Sequence, residues 1–186
     1  MDKLQKLDSL IVLLMFALLP IDMINGVMLG NEIILPITIG QLFKLLIIGV
    51  LFFRFFIFNF KLLLTSCLMF LLMLLPSFYQ MFTQLDASFL FSDIVKVSKY
   101  LTPLFCFFFF KDFITRQDPL ELKQLFKLVW FSYIVLVVNI LIKYIGLGYP
   151  MYKAGDIGSK GFFFAGNETS AMLIILTSIL AYTIFL

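Results

Sequence analysis

The stretch SLIVLLMFALLPIDMINGVML at residues 9–29 decides the fold of this 186-residue chain. A bilayer core requires about 20 apolar residues for each helical span, and this stretch has that length with a single charged side chain, Asp22. It is too long for the apolar part of a cleaved signal peptide, which runs to about 7–15 residues, and no small-residue cleavage motif follows it. The sequence therefore predicts a retained first membrane helix.

The composition of the whole chain is typical of a membrane protein. Hydrophobic residues make up 62% of the sequence and charged residues 13%, whereas charged residues are about 25% of a typical soluble chain. The formal net charge is +3, and the positive residues lie mostly in short loops, a pattern that sets membrane orientation and gives no support for a nucleic-acid partner. We therefore expect an all-α, polytopic transmembrane bundle that forms a single domain over residues 1–186.

Hydropathy divides the chain into about six spanning helices. Their predicted ranges are 9–29, 33–53, 61–82, 88–110, 124–145 and 168–186. With a cytoplasmic N-terminus, the inner segments hold eight basic residues and the outer segments three: Lys3, Lys6, Arg54, Lys61, Lys111, Arg116, Lys123 and Lys127 against Lys143, Lys153 and Lys160. Because cytoplasmic loops carry the excess of Lys and Arg, we expect both termini inside. The apolar end at residues 182–186 leads us to expect the N-terminal part of a longer protein.

The start of the fifth helix has a local signature. In the segment Asp118-Pro119-Leu120-Glu121, Asp is a favoured N-cap, Pro suits the first helical position, and Glu can reach back to the cap amide. The sequence therefore predicts that this helix begins at residue 118 or 119.

Polar side chains in the outer halves of the spans indicate a site. They are Asp22 and Asn25, Thr38, Gln41 and Lys44, Asp93, Lys96 and Lys99, Asn139, Asn167 and Glu168. Lys44 and Lys99 lie roughly 16 Å from their outer boundaries at about 1.5 Å per residue, so we expect them to face an internal polar chamber that binds an anion such as a lipid diphosphate. The alternative is that the lysines extend to the headgroups and that Asp93 pairs with Lys96.

Residues that support metal or redox chemistry are scarce. Cys67 and Cys106 fall in the inner halves of two spans and are predicted to be reduced, small apolar packing residues. The sequence has no histidine, which excludes a histidine general base and a histidine-ligated metal within this chain. We expect no metal site and no cofactor.

The segment Lys160-Gly-Phe-Phe-Phe-Ala-Gly-Asn-Glu-Thr-Ser-Ala171 is the most specific motif of the chain. It resembles the segment that opens a mid-chain helix in bacterial O-antigen polymerases and ligases, and in the related capsule and exopolysaccharide polymerases. The pieces LPID at residues 19–22 and GQLFK at residues 40–44 also resemble this family. The resemblance covers the N-terminal half of such proteins.

This resemblance implies a glycosyl transfer at the outer face of the bacterial cell (inner) membrane. The donor would be a glycan on polyprenyl diphosphate, and other polysaccharide-assembly membrane proteins would be partners besides the bilayer. Because a sugar diphosphate is already a good leaving group, the protein has mainly to stabilise its growing negative charge. The residues that we expect to bind the diphosphate are Lys160, Lys99, Lys44 and Lys96, with Asn167, Gln41, Asp93 and Asp22 in support.

Glu168 is the candidate base for the acceptor hydroxyl; its alternative role is a favourable charge at a helix N-terminus. The family's usual second-half loop is absent from this sequence, so we expect this piece alone to be inactive. Two other classes of function remain open. The chain could be half of a transporter or of a flippase for lipid-linked oligosaccharides, in which buried charges form a pathway, or a non-catalytic membrane subunit.

Overall fold

The computed structural model describes residues 3–33, 35, 37–84, 88–116, 119–152, 158–163 and 166–185. The regular elements are six α-helices and one 3₁₀ helix: α1 (Lys3–Gly30), α2 (Ile39–Phe58), α3 (Phe60–Gln84), α4 (Ser88–Thr115), α5 (Pro119–Leu141), the 3₁₀ helix Ile142–Ile145 and α6 (Gly166–Phe185). Apart from isolated bridge residues, which include the pair Tyr149 and Gly161, no β-structure occurs in these ranges. The all-α prediction is confirmed.

Among the residues that the structure describes, four helical segments are long and apolar enough to cross a membrane. They are Lys3–Gly30, Ile39–Phe58, Phe60–Thr83 and Leu122–Ile145. The predicted fourth span lies in α4, where Asp93, Lys96 and Lys99 interrupt the apolar sequence. The predicted sixth lies in α6, whose apolar segment within the described residues is the shorter stretch Thr169–Tyr182. The chain is thus a multi-pass membrane protein by length and composition, and six spans stay a prediction.

The second helix begins later than the sequence predicts. Helix α1 ends in a Schellman motif, in which Ile33 N donates to Met28 O at 3.0 Å and Glu32 N donates to Leu29 O at 3.2 Å. Glu32 has the left-handed φ of 60° that this motif requires. The turn lies in the predicted connection at residues 30–32, but α2 starts at Ile39 instead of residue 33. Hydropathy did not predict this later start because residues 33–38 are mostly apolar. By contrast, α5 begins at Pro119, as the DPLE signature predicts.

The chain divides into two compact units. Unit 1 comprises Met1–Ile11 and Gln41–Asp118, and unit 2 comprises Val12–Gly40 and Pro119–Leu186. The division passes through α1, so this helix contributes its start to one unit and its remainder to the other. A single bundle stays a prediction.

Aromatic side chains fill the core of unit 1. Helix α4 buries Leu101, Phe105, Phe109 and Phe113, which are spaced four residues apart and so share one helical face. Helix α2 buries Ile47, Leu51 and Phe55 with the same spacing. The rings of Phe55 and Phe105 lie 6.1 Å apart, and those of Phe109 and Phe113 lie 5.3 Å apart. Part of the phenylalanine content therefore packs helix against helix.

The core of unit 2 joins α1, α5 and α6. Leu19, Leu136 and Phe163 are buried together, with Met23, Val135, Ile140, Met172, Leu173 and Leu176 packed around them. Phe163 belongs to the segment that precedes α6. The packing of this residue fixes the end of the long connection between α5 and α6.

Candidate functional site

Of the charged side chains predicted in α4, Asp93 and Lys96 are described. Lys96 Nζ donates to Asp93 Oδ1 at 3.4 Å, and Ser77 Oγ of α3 donates to Asp93 Oδ2 at 2.7 Å. The Lys96 side chain is 66% exposed and that of Asp93 25%. The pairing expected from their spacing is present, and it leaves the Lys96 ammonium at the surface of the chain. The side chain of Lys99 lies outside the described residues.

Gln41 and Lys44 lie one turn apart near the start of α2. Both side chains are half-buried. Thr38, predicted to extend the same stripe, precedes the helix, because α2 starts at Ile39. The stripe on α2 therefore consists of two residues.

Asp22 and Asn25 share one face of α1, as their spacing predicts. A methyl group added to Gly40 would lie 3.0 Å from Asp22 Oδ1 and 3.4 Å from Asn25 Cγ. Both polar side chains thus pack against the first turn of α2, at a position where a larger residue would displace them. Asp22 is half-buried there.

The best-defined polar contact of unit 2 involves Asn139 of α5. Its side chain is fully buried. Asn139 Nδ2 donates to Lys160 O at 3.0 Å, and Asn139 Oδ1 accepts a hydrogen bond from Phe162 N at 2.8 Å. One amide therefore satisfies a carbonyl and an N–H two residues apart and holds the loop against the helix.

The loop backbone around Lys160 has further attachments. Lys160 N donates to Tyr149 O at 3.1 Å, and Tyr149 N donates to Gly161 O at 2.7 Å. Ser159 Oγ donates to Ile140 O at 2.7 Å. The Lys160 main chain is therefore held on both sides, and the origin of its side chain is fixed relative to α5.

Asn167 and Glu168 fall in the first turn of α6, which starts at Gly166. Their side chains lie outside the described residues. Glu168 as a base and Asn167 as a supporting amide stay predictions.

The two units divide the predicted site. Gln41, Lys44, Asp93 and Lys96 belong to unit 1, and Asp22 and Lys160 belong to unit 2. Convergence of the lysines on one chamber therefore stays a prediction. Within the described residues, no group of acidic and cysteine side chains is arranged to hold a metal ion.

An apolar groove of about 520 Å³ lies in unit 2. Its lining side chains are apolar, and they include Met23, Ile24 and Val27 of α1, Ile134 and Val138 of α5, and Phe162 of the loop. Phe162 follows Lys160 by two residues. The groove is thus beside the segment that Asn139 holds.

Unit 1 contains a cluster of four charged side chains that was not predicted from the sequence. Arg54 Nε lies 2.9 Å from Asp8 Oδ1, and Arg54 Nη2 lies 2.5 Å from Asp112 Oδ2. Arg116 Nη2 lies 2.6 Å from Asp8 Oδ2. The side chains of Arg54 and Asp8 are 0% and 1% exposed. We call Asp8, Arg54, Asp112 and Arg116 the charge cluster.

Aromatic rings and an asparagine surround the charge cluster. The Arg54 guanidinium lies 5.3 Å from the Phe109 ring centre and 5.6 Å from that of Phe55. Asn59 Nδ2 donates to Asp112 Oδ1 at 3.4 Å. Arg54 Nη1 is buried without a hydrogen-bond partner among the residues that the structure describes.

The charge cluster was not predicted because Arg54 was counted as a loop residue. Arg54 lies within α2, four residues before its end. The signal was the surrounding sequence LFFRFFIF at residues 51–58, because an arginine with apolar neighbours on both sides at membrane depth requires an acidic partner.

No family model, curated protein or solved structure matches the chain. The resemblance to O-antigen polymerases and ligases therefore rests on its residues alone.

Proposed function

We propose that the chain is part of a membrane enzyme of surface-polysaccharide assembly, which polymerises or ligates glycans carried on polyprenyl diphosphate at the outer face of the bacterial inner membrane. One observation carries the proposal: the segment that resembles this family is the segment that buried Asn139 holds in place. A site for a transferring group needs fixed positions for its charges.

In this proposal Lys160 binds the donor diphosphate. Its ammonium offsets the negative charge that grows on the leaving group, an effect that is strongest where the side chain is preorganised. Lys44, Lys96 and Lys99 are the further cations assigned to the diphosphate, with Gln41, Asp22, Asp93 and Asn167 in support. Glu168 takes the proton from the acceptor hydroxyl. The acceptor is a lipid-linked repeat for a polymerase or a surface lipid for a ligase.

The test replaces Lys160 by Met in the full gene product of the native cell. The expected result on a gel of extracted glycans is loss of long-chain surface polysaccharide, with single repeat units retained for a polymerase and no repeat units on the surface lipid for a ligase. Lys111→Met is the control, because Lys111 is an exposed lysine of α4 to which the proposal assigns no role. Normal chain length in Lys160→Met cells that contain normal amounts of the protein would contradict the proposal.

The proposed topology has six spans with both termini in the cytoplasm. Single cysteines at Lys3 and Lys143, in a chain whose Cys67 and Cys106 are replaced by Ala, would test it by labelling of intact cells with a membrane-impermeant maleimide. We expect labelling at position 143 and protection at position 3. The reverse result would invert the orientation and place Lys160 on the cytoplasmic side.

A transporter or flippase half is the second candidate, and the charge cluster favours it. Charged residues inside membrane helices often mark substrate or proton pathways, and Arg54 and Asp8 are both buried. The purified protein in proteoliposomes separates the two candidates. Movement of a lipid-linked oligosaccharide between leaflets, without any lengthening of the glycan, would favour transport over glycosyl transfer.

A further inference from the structure

The segment that follows α5 exposes a set of large apolar side chains. Tyr144 is 86% exposed, Ile145 73%, Leu147 53% and Tyr152 59%. An exposed leucine or tyrosine is ordinary when it is isolated. Four of them within nine residues of a membrane protein indicate a surface that contacts something other than water.

The same segment is attached to the protein on its other side. The Tyr149 ring packs against Gly30, since a methyl group added to that glycine would overlap it, and it lies 6.4 Å from the Phe162 ring. Lys143 Nζ donates to Gly158 O at 2.7 Å. These contacts hold the segment in one arrangement, so the four exposed side chains belong to a fixed turn.

The position of the turn indicates its partner. The candidate span Leu122–Ile145 ends at the first two exposed residues, so Leu147 and Tyr152 come directly after the end of a membrane helix. Tyrosine is enriched where a membrane meets water, because its ring is apolar and its hydroxyl is polar.

We propose that residues 144–152 form an interfacial turn whose apolar side chains lie in the headgroup layer of the bilayer. This turn sets the depth of α5 and of the loop segment that Asn139 attaches to it. The proposal goes beyond the function proposed above, because it holds whether the chain transfers sugars, moves lipids or does neither.

The single tryptophan of the chain, Trp130, makes a depth measurement possible. It lies on α5 fourteen residues before Tyr144, which corresponds to about 20 Å along a helix. With Tyr144 at the edge of a hydrocarbon core of about 30 Å, Trp130 lies about 5 Å beyond the midplane, well inside the hydrocarbon core. Trp130 of the wild-type protein is therefore the control for a side chain deep in the bilayer.

The experiment places tryptophan at position 144 or 152 in a Trp130→Phe background, with the full chain in lipid vesicles. The expected result is loss of emission with lipids brominated near the headgroup, and weaker quenching with lipids brominated near the chain ends. Trp130 of the wild type should show the opposite order. Iodide in the aqueous phase should quench Tyr144→Trp less than it quenches free tryptophan.

Three results would overturn the proposal. Full iodide quenching without any effect of brominated lipid would place the turn in water. Protection from both quenchers would show that protein covers the exposed side chains. A nitroxide on Leu147→Cys, with Cys67 and Cys106 replaced by Ala, gives an independent depth from its accessibility to oxygen and to a water-soluble nickel complex, and accessibility to nickel alone would also overturn the proposal.

Discussion

Arg54 and Asp8 form an ion pair in which both side chains are buried, with 2.9 Å between Nε and Oδ1. The second oxygen of the same carboxylate contacts Arg116, and the second arm of the same guanidinium contacts Asp112. Two positive and two negative side chains thus alternate in one chain of contacts. Because desolvation of each charge is costly, such a cluster is stable only while every partner is present.

Replacing Asp8 by Asn should strongly destabilise the protein. The substitution keeps the shape of the side chain but removes the carboxylate charge that contacts both Arg54 and Arg116, and removal of one partner from a buried pair costs about 3–5 kcal/mol. For a chain of this length, that loss lowers the melting temperature by roughly 6–20 °C. Heating the detergent-solubilised protein and measuring the remaining monodisperse fraction by size-exclusion chromatography gives the shift.

Lys96→Met is the matched control for this prediction. This substitution also breaks an ion pair, the one between Lys96 and Asp93. The Lys96 side chain is 66% exposed, and exposed pairs contribute little to stability. The melting temperature of Lys96→Met should stay close to that of the wild type. Equal shifts in the two variants would show that the charge cluster is not a buried ion network.

Replacing the whole charge cluster by apolar residues should be less damaging than Asp8→Asn. In a variant with Leu for both aspartates and Met for both arginines, no charge is left without a partner, and such replacements are often neutral or stabilising by about 1–4 kcal/mol. The melting temperature of this variant should exceed that of Asp8→Asn. A lower one would mean that the cluster contributes stability that apolar packing does not supply.

Activity measured on the same variant separates structure from function. Under the function proposed above, a stable variant whose cells lack long-chain surface polysaccharide would show that the charges are functional. A stable and active protein would show that they serve folding alone. Polysaccharide gels from cells that carry each variant provide this measurement.

The sequence predicts the helices of this chain better than their ends. An apolar run of about 20 residues has few ways to satisfy its backbone in a membrane except as a helix, so four predicted spans correspond to long apolar helices. The end of α1 depends on Glu32, a residue that rarely adopts the left-handed conformation. The polar residues Gly30, Asn31 and Glu32 mark that turn, but the apolar sequence of residues 33–38 hides the later start of α2 at Ile39.

The contacts of the candidate site were partly predictable. The spacing along one helix predicted that Asp93 lies beside Lys96 and Asp22 beside Asn25, because residues three apart share a face. Asn139 and Lys160 are 21 residues apart, and Asp8 and Arg116 are 108 apart. Contacts of this kind depend on how helices pack, which hydropathy and charge counts do not determine.

Asn59, which separates α2 from α3, should be sensitive to charge. Its Oδ1 accepts a hydrogen bond from Leu62 N at 3.3 Å as the N-cap of α3, and its Nδ2 donates to Asp112 at 3.4 Å. Asp and Ser are equally good N-caps, but Asn59→Asp puts a second carboxylate beside Asp112. We therefore expect the melting temperature to be highest for the wild type, lower for Asn59→Ser and lowest for Asn59→Asp.

The order of the two Asn59 variants is the decisive comparison. In an isolated helix, an aspartate at this position would be favoured by the helix dipole. A higher melting temperature for Asn59→Asp than for Asn59→Ser would therefore show that the contact with Asp112 has no influence on stability.

Gly161→Ala should release the loop that Asn139 holds. Gly161 has a φ of 59°, and an added methyl group would overlap the carbonyl oxygen and the side-chain amide of Asn139. Gly146→Ala is the matched control, because Gly146 has a φ of 79° and no atom within 4 Å of the added methyl group, so it carries only the backbone cost of about 1–2 kcal/mol. Lys-C should cleave after Lys160 faster in Gly161→Ala than in Gly146→Ala. Equal cleavage rates would mean that the close contact with Asn139 does not hold the loop, and that the left-handed backbone accounts for the whole effect of either substitution.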